Sequence, residues 1–190
     1  MTSEACRLAF AQNDDRVKAV NSCIPEPCGC EAYTASDMSP GTVASEETLH
    51  FLVYTPEGRM ENGYLNPALV MQSQTNGLSV LRGAASDSEF EVTAEELLPR
   101  WQTRGRSLDG VMIFPASAVR YKDEVRFCGV YDTAMERKPH HADIMMVGFE
   151  GLSNSQAKKR LKSLVDAIGT NFEDMDTFRD GRLGHLGTVA

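Results

Sequence analysis

The chain has 190 residues, of which 42% are hydrophobic and 24% are charged, proportions typical of a folded globular protein rather than a disordered one. Its 19 basic and 27 acidic residues give a formal net charge of −8. A negative field repels phosphate groups, which argues against nucleic acid or an anionic membrane as a partner. No apolar run approaches the roughly 18 residues that span a bilayer, and the start of the sequence lacks the basic and apolar regions of a secretory signal. We therefore expect a soluble, cytoplasmic protein.

The first 48 residues form an acidic segment that holds four of the five cysteines. Apolar spacing predicts a helix over residues 3–20, interrupted by the polar run at 13–15. The Ser-, Thr-, Pro- and Gly-rich stretch 35–46 is typical of a loop or linker. We therefore divide the chain into a Cys-rich front segment (1–48), a core domain (49–170) and an extended or partly ordered polar tail (171–190).

Hydrophobic patterns in the core predict strands at residues 49–54, 78–81, 111–114, 125–131 and 143–149. A short helix is predicted at 67–72. Capping-box patterns predict that further helices start at Thr93 and at Ser153, the second ending at Gly169. Because short polar turns join neighbouring strands, we expect an α+β fold with a mostly antiparallel sheet of about five strands and two to three helices.

The cysteines of the front segment are candidate metal ligands: Cys6, Cys23, Cys28 and Cys30. Four thiolates at about 2.3 Å close a tetrahedral zinc site, so zinc is the candidate cofactor. The spacing differs from the usual pair of Cys-x-x-Cys hooks. Unliganded thiols and redox chemistry, including a disulfide within the set, therefore remain open, although a reducing compartment favours thiols or ligands.

Two histidines and an aspartate are candidate catalytic residues. Strand alternation predicts that His141 and Asp143 share a face, and a histidine beside a carboxylate suits a general base. His50 lies inside the first predicted strand. An ionisable ring at such a position is typical either of a structural histidine in the sheet or of a strand that ends at an active-site cleft. Both histidines are equally consistent with structural roles in a sheet.

Ser79 and Arg82, in the strand that follows Gly77, are candidate substrate-binding residues. An arginine on a strand can hold a carboxylate or phosphate through a bidentate fork, or it can pair with an acidic neighbour. Cys128, in an apolar strand, is interpreted as a small buried hydrophobic residue. The sequence contains no glycine-rich phosphate loop, nucleophile elbow or His-Glu-x-x-His motif.

These patterns support two functional hypotheses. The first is an accessory or binding protein that has a protein partner and whose front segment is either held together by a bound metal ion or serves as an interaction arm. The alternative is a small transferase or hydrolase for a phosphorylated or nucleotide-like substrate, using His50, Arg82, His141 and Asp143. The enzyme hypothesis requires that His50, Arg82 and His141 reach one pocket.

Overall fold

The computed structural model describes residues 3–24, 26–149 and 151–186. Within these residues the strands are β1 (Thr48–Thr55), β2 (Leu78–Arg82), β3 (Ser107–Pro115), β4 (Tyr121–Lys122), β5 (Val125–Arg126), β6 (Cys128–Asp132), β7 (His141–Met146) and β8 (Phe172–Asp174). The helices are α1 (Ser3–Phe10), α2 (Arg16–Cys23), α3 (Asp87–Thr103), α4 (Ala116–Arg120), α5 (Asn154–Ile168) and α6 (Met175–Leu186), with 3₁₀ helices at Gly29–Ala32 and Pro67–Gln74.

The described strands form a six-stranded antiparallel sheet in the order β6-β7-β2-β1-β3-β8, and β4 pairs with β5 in a separate hairpin. The predicted α+β class with an antiparallel sheet is confirmed. Among the described helices, none is long and apolar enough to cross a bilayer.

Both faces of the sheet are covered by helices. Alternating residues of the strands, such as Leu49 and Val53, pack on one face against α4, α5 and the Pro67–Gln74 helix. On the opposite face, α3 and α6 cover Leu52, while α1 and α2 cover Tyr131 and Met145. The helices of the front segment thus share the covering of this face with α3 and α6.

One helix start differs from the predictions. The helix expected over residues 3–20, with an interruption at 13–15, is divided there into α1 and α2, and Asp15 adopts a left-handed conformation with φ of 50°. The prediction that a helix starts at Thr93 is wrong, because α3 begins at Asp87. Its capping box is formed by Ser86 and Glu89: the Ser86 amide donates to the Glu89 carboxylate at 2.8 Å, and the Glu89 amide donates to the Ser86 hydroxyl at 3.4 Å.

The segment after residue 170 contributes to the sheet and to its cover. β8 pairs with β3, and Phe178 of α6 packs against Phe90 with ring centroids 5.0 Å apart. The tail that was expected to be extended or partly ordered thus forms β8 and α6 within residues 172–186, and Met175 and Phe178 join the cluster over β1 and β3. Residues 187–190 lie outside the described part of the chain.

A buried arginine joins the loop before β1 to the sheet. The Arg82 guanidinium donates to the Glu47 carboxylate at 2.6 and 2.8 Å and to Asp132 at 2.7 Å. It also donates to the carbonyls of Gly41 and Thr42. The loop predicted at residues 35–46 is present, but this side chain fixes its path. The domain boundary at residue 48 stays a prediction.

We expect Arg82→Ala to lower the free energy of unfolding by roughly 3–5 kcal/mol, since it leaves the buried Asp132 carboxylate and the partly buried Glu47 carboxylate without their counter-charge. Urea unfolding measures this change, and limited proteolysis should show faster cleavage within residues 35–46. The control is Arg7→Ala, which removes the exposed Arg7–Asp37 pair and should cost no more than about 1 kcal/mol. Equal losses in the two variants would contradict a central role for Arg82.

Candidate functional site

The sheet contains a split between β1 and β2. These strands pair at Leu49–Arg82 and His50–Leu81. Beyond that point β1 continues along β3, whereas the earlier residues of β2 pair with β7. A cavity of about 280 Å³ lies in the split, between the 3₁₀ helix Pro67–Gln74 and α3. Its size is close to the lower limit of small-molecule sites, which is roughly 300 Å³.

His141 is a buried titratable residue of this cavity. Its side chain lines the wall, together with Thr93 and Leu97 of α3. The ring is held by Thr133: Nδ1 lies 2.8 Å from the hydroxyl and 3.2 Å from the backbone carbonyl. Nε2 has no hydrogen-bond partner among the described residues.

The contacts of Nδ1 with Thr133 are the basis for assigning the form of the His141 ring. A carbonyl oxygen only accepts, so we assign the proton to Nδ1, from which it can be donated to the Thr133 carbonyl or hydroxyl. Burial lowers the pKa of His141, and the positive charge of Lys138 acts in the same direction, although Asp143 opposes it. The ring is therefore neutral at physiological pH, and Nε2 carries a lone pair that can accept a hydrogen bond or a proton.

Asp143 and Ser79 lie beside His141 on the same face of the sheet. Ser79 and Asp143 are direct partners across β2 and β7, and the Ser79 hydroxyl donates to the carboxylate at 3.2 Å. The carboxylate also accepts from Arg16 of α2 at 3.2 Å. Through its ion pair with Arg16, Asp143 therefore attaches the front segment to the sheet. Because the Asp143 carboxylate is engaged by Ser79 and Arg16, the orientation of the His141 ring is set by Thr133.

The cavity walls combine apolar surface with one charged pair. Leu52, Leu69 and Leu78 line it, and Lys138 lies on its wall with its ammonium 2.5 Å from the Glu96 carboxylate. Since the lysine is paired with Glu96, the charges within the wall are compensated. The site therefore suits a neutral molecule better than an anion.

His50 lies on the same face but lines a different cavity. Both His50 and His141 are register partners of Leu81, which places their Cα atoms about 10 Å apart across β2. The His50 ring packs against Phe90 and Phe178 at centroid distances of 5.4 and 5.3 Å. It lines a cavity with Arg182, separate from that of His141.

Arg82 lies on the opposite face of the sheet from both histidines. It is the register partner of Leu49, whose side chain belongs to the core under α5. Its donors are engaged by Glu47, Asp132 and the loop carbonyls. The structure thus brings together His141, Asp143 and Ser79 and places His50 and Arg82 elsewhere, so the convergence that the enzyme hypothesis requires is not formed.

Three of the four predicted metal-binding cysteines lie together. The Sγ atoms of Cys6, Cys23 and Cys30 are within 4.8 Å of one another, close enough to hold a metal ion when all three are thiols. Cys6 and Cys30 are joined in a disulfide, which is the alternative of a disulfide within the set that the sequence left open. Cys28 is outside this group and lies near Tyr131 and Cys128, so the four-cysteine site is not formed.

Cys128 is buried, and burial raises its pKa. A thiol that resists ionisation is a poor nucleophile, so its chemical behaviour agrees with the interpretation as a core residue.

Comparisons with known proteins were made at the level of family, sequence and fold. No family model, curated protein or solved structure matches this chain. The function must therefore be inferred from the geometry of the described residues.

Sequence reasoning did not identify Thr133, Lys138, Glu96 or Arg16 as neighbours of the site. Thr133 is eight positions from His141, and the turn that brings them together depends on the Met135–Lys138 pairing. Arg16 is 127 positions from Asp143. An available signal was the cluster of polar residues between Asp132 and His141, which separates two apolar strands.

We predict that His50 makes the folded state less stable in acid. Burial, helped by Arg182, lowers its pKa to about 4 from an ordinary value of 6.5. Between these values the unfolded chain binds a proton that the folded chain does not, so stability falls as the pH drops from 6.5 to 4. The loss attributable to His50 approaches roughly 3 kcal/mol at 1.36 kcal/mol per pKa unit.

Urea unfolding of the wild type and of His50→Gln, measured from pH 7.5 to 4.5, tests this prediction. The variant should show a shallower dependence on pH, whatever its stability at pH 7.5. Parallel curves for the two proteins would show that His50 does not titrate in this way.

Proposed function

We propose that the protein is a binding protein that takes a small, largely apolar molecule into the cavity between β1 and β2. The observation that carries the proposal is the His141 ring, which lines that cavity with Nδ1 held by Thr133 and Nε2 without a hydrogen-bond partner among the described residues. With the proton assigned to Nδ1, Nε2 is an acceptor to which a ligand in the cavity can supply the donor. The ligand class is a molecule with an apolar body and one hydroxyl or amide N–H group.

The charge of the site supports this class over the phosphorylated substrates of the alternative hypothesis. Arg82, the predicted phosphate anchor, is engaged on the other face of the sheet. Lys138 is neutralised by Glu96, and Asp143 by Arg16. An anion entering the cavity would have to replace one of these ion pairs.

A matched pair of threonine substitutions tests whether the cavity binds ligands. Thr93 and Thr103 both lie on α3 and both donate to the carbonyl four residues earlier, at 2.8 and 2.7 Å. Thr93 lines the cavity, whereas Thr103 is exposed. Thr93→Leu should fill the site and abolish binding, while Thr103→Leu should leave binding unchanged, because neither hydroxyl is needed by another residue.

Ligand-observed NMR with a panel of small phenols, aliphatic alcohols and primary amides measures the binding. We expect hits in the wild type and in Thr103→Leu that disappear in Thr93→Leu. Absence of hits across the panel in the wild type, or hits that persist in Thr93→Leu, would contradict the proposal.

Acid should weaken binding through His141. Protonation of Nε2 removes the acceptor, and since burial lowers the pKa of His141, affinity should hold from pH 8 to 6.5 and fall only below that range. His141→Phe should bind the same probes with an affinity independent of pH. A decline that begins above pH 7 in the wild type would exclude His141 as the acceptor.

A small enzyme that uses His141 as a general base is the second candidate, since the same lone pair can accept a proton from a bound hydroxyl. In this form the proposal involves neither His50 nor Arg82. Chemical change of a bound probe, abolished in His141→Phe, would distinguish it from binding alone. A protein partner for the front segment stays a prediction.

We also propose that the reduced front segment binds zinc through Cys6, Cys23 and Cys30, with the fourth position open to water. Zinc sites with three protein ligands and one water have this composition. Binding requires reduction of the Cys6–Cys30 disulfide, since a disulfide sulfur offers no thiolate.

Elemental analysis of protein purified under reducing conditions tests the zinc proposal. We expect close to one equivalent in the wild type and in Cys28→Ser, since Cys28 lies outside the group, and a large loss in Cys23→Ser. Metal-free wild type, or equal metal content in Cys23→Ser, would contradict it.

A further inference from the structure

A free thiol lies beside a buried disulfide in the front segment. Cys23 is a free cysteine at the end of α2, and its Sγ is 3.9 Å from the Sγ of Cys6. Cys6, on α1, is bonded to Cys30 in the 3₁₀ helix Gly29–Ala32. The side chain of Cys23 is half-buried, whereas Cys6 and Cys30 are both fully buried at 0% exposure.

These exposures decide how the disulfide can be reduced. Thiol–disulfide exchange requires that a thiolate reach one of the two bonded sulfurs. An external thiol finds neither sulfur of Cys6–Cys30 at the surface of the folded protein. The thiol of Cys23, in contrast, is both within reach of Cys6 and partly open to solvent.

We propose that Cys23 is a thiol–disulfide exchange site through which low-molecular-weight thiols reduce the buried Cys6–Cys30 bond. In the first step the Cys23 thiolate attacks Sγ of Cys6. A Cys6–Cys23 bond forms, the Cys6–Cys30 bond breaks, and the Cys30 thiolate leaves and takes a proton from water.

In the second step an external thiolate attacks the partly exposed Sγ of Cys23. A mixed disulfide forms on Cys23, and Cys6 leaves as a thiolate. A second external thiolate then attacks the sulfur of the bound thiol, releasing Cys23 and an external disulfide. Two thiols are oxidised and one protein disulfide is reduced, so the electrons balance.

The first step requires a small movement of one side chain. All three sulfurs lie within 4.8 Å of one another, so Cys23 is beside the Cys6–Cys30 bond rather than on its axis. Rotation about the Cα–Cβ bond of Cys23, which packing restricts least because this side chain is half-buried, brings its sulfur towards that axis. Cys6 and Cys30 can stay in place until the bond breaks.

The exchange moves a covalent link between elements of the front segment. Before it, α1 is tied to the Gly29–Ala32 helix; after it, α1 is tied to α2. The Gly29–Ala32 helix is then held by noncovalent contacts, chiefly those of Glu31, which accepts from Arg120 at 2.7 Å and from the amide of Val130 at 2.8 Å. The ion pair of Glu31 with Arg126 adds to them.

Reduction by glutathione, trapped with N-ethylmaleimide, tests the proposal on the full chain. Trypsin separates Cys6 (residues 1–7) from the other three cysteines of the front segment (residues 19–59), and fragment-ion spectra locate each label. In the wild type, the maleimide label should appear on Cys30 before Cys6, and glutathione should appear on Cys23 in the molecules in which Cys6 first becomes labelled. This measurement needs no substitution.

Cys23→Ser should slow opening of the Cys6–Cys30 bond by on the order of tenfold or more, because the attacking thiol is removed. Cys28→Ser is the matched control and should open at the wild-type rate. Equal rates in Cys23→Ser and the wild type, or labelling of Cys6 and Cys30 at the same rate from the earliest time points with no glutathione on Cys23 at any time, would overturn the proposal.

Discussion

The buried guanidinium of Arg82 is the interaction on which the layered arrangement depends. It lies on the core side of β2 and joins two carboxylates from distant parts of the chain, Glu47 before β1 and Asp132 at the end of β6. A buried charge is tolerated when it is paired and its donors are satisfied, and here backbone carbonyls of Gly41 and Thr42 complete the set. Arg82 thereby fixes two parts of the chain relative to β2. These are the loop that enters β1 and the end of strand β6.

The same principle explains two further carboxylates that are paired with arginines. Glu31 is held by Arg120 and Arg126, and Asp143 by Arg16. In each pair one member belongs to the front segment and the other to the sheet or its flanking elements. The net charge of −8, taken alone, suggested an acidic surface, but these carboxylates join the covering layer to the sheet.

The sheet could be predicted from the sequence because its strands carry a local signal. Alternation of apolar residues at 49–54 and 78–81 identifies β1 and β2, and Ser153 with Gln156 forms the predicted capping box of α5. The start of α3 was misplaced because Thr93-x-x-Glu96 and Ser86-x-x-Glu89 are equivalent patterns in sequence. Position in the fold decides between them: the Thr93 hydroxyl donates to the Glu89 carbonyl within the helix.

The site could be predicted only in part, because it depends on contacts between distant residues. The shared face of His141 and Asp143 follows from alternation along one strand. The separation of His50 from His141 depends on the strand order, in which β2 lies between β1 and β7, and pattern in the sequence does not give strand order. Cys28 lies outside the cysteine group and has a left-handed backbone conformation with φ of 61°, and neither fact can be read from the spacing of the cysteines.

The position of the front segment has a consequence for synthesis of the chain. α1 and α2 leave the ribosome before the sheet does, and the surface that they cover, formed by Tyr131 and Met145, is made more than 100 residues later. At roughly 5–20 residues per second, this interval is on the order of ten seconds. During it Cys6, Cys23 and Cys30 are translated but have no sheet to pack on. The nascent chain therefore meets the redox environment of its compartment before the fold can bury any of these sulfurs.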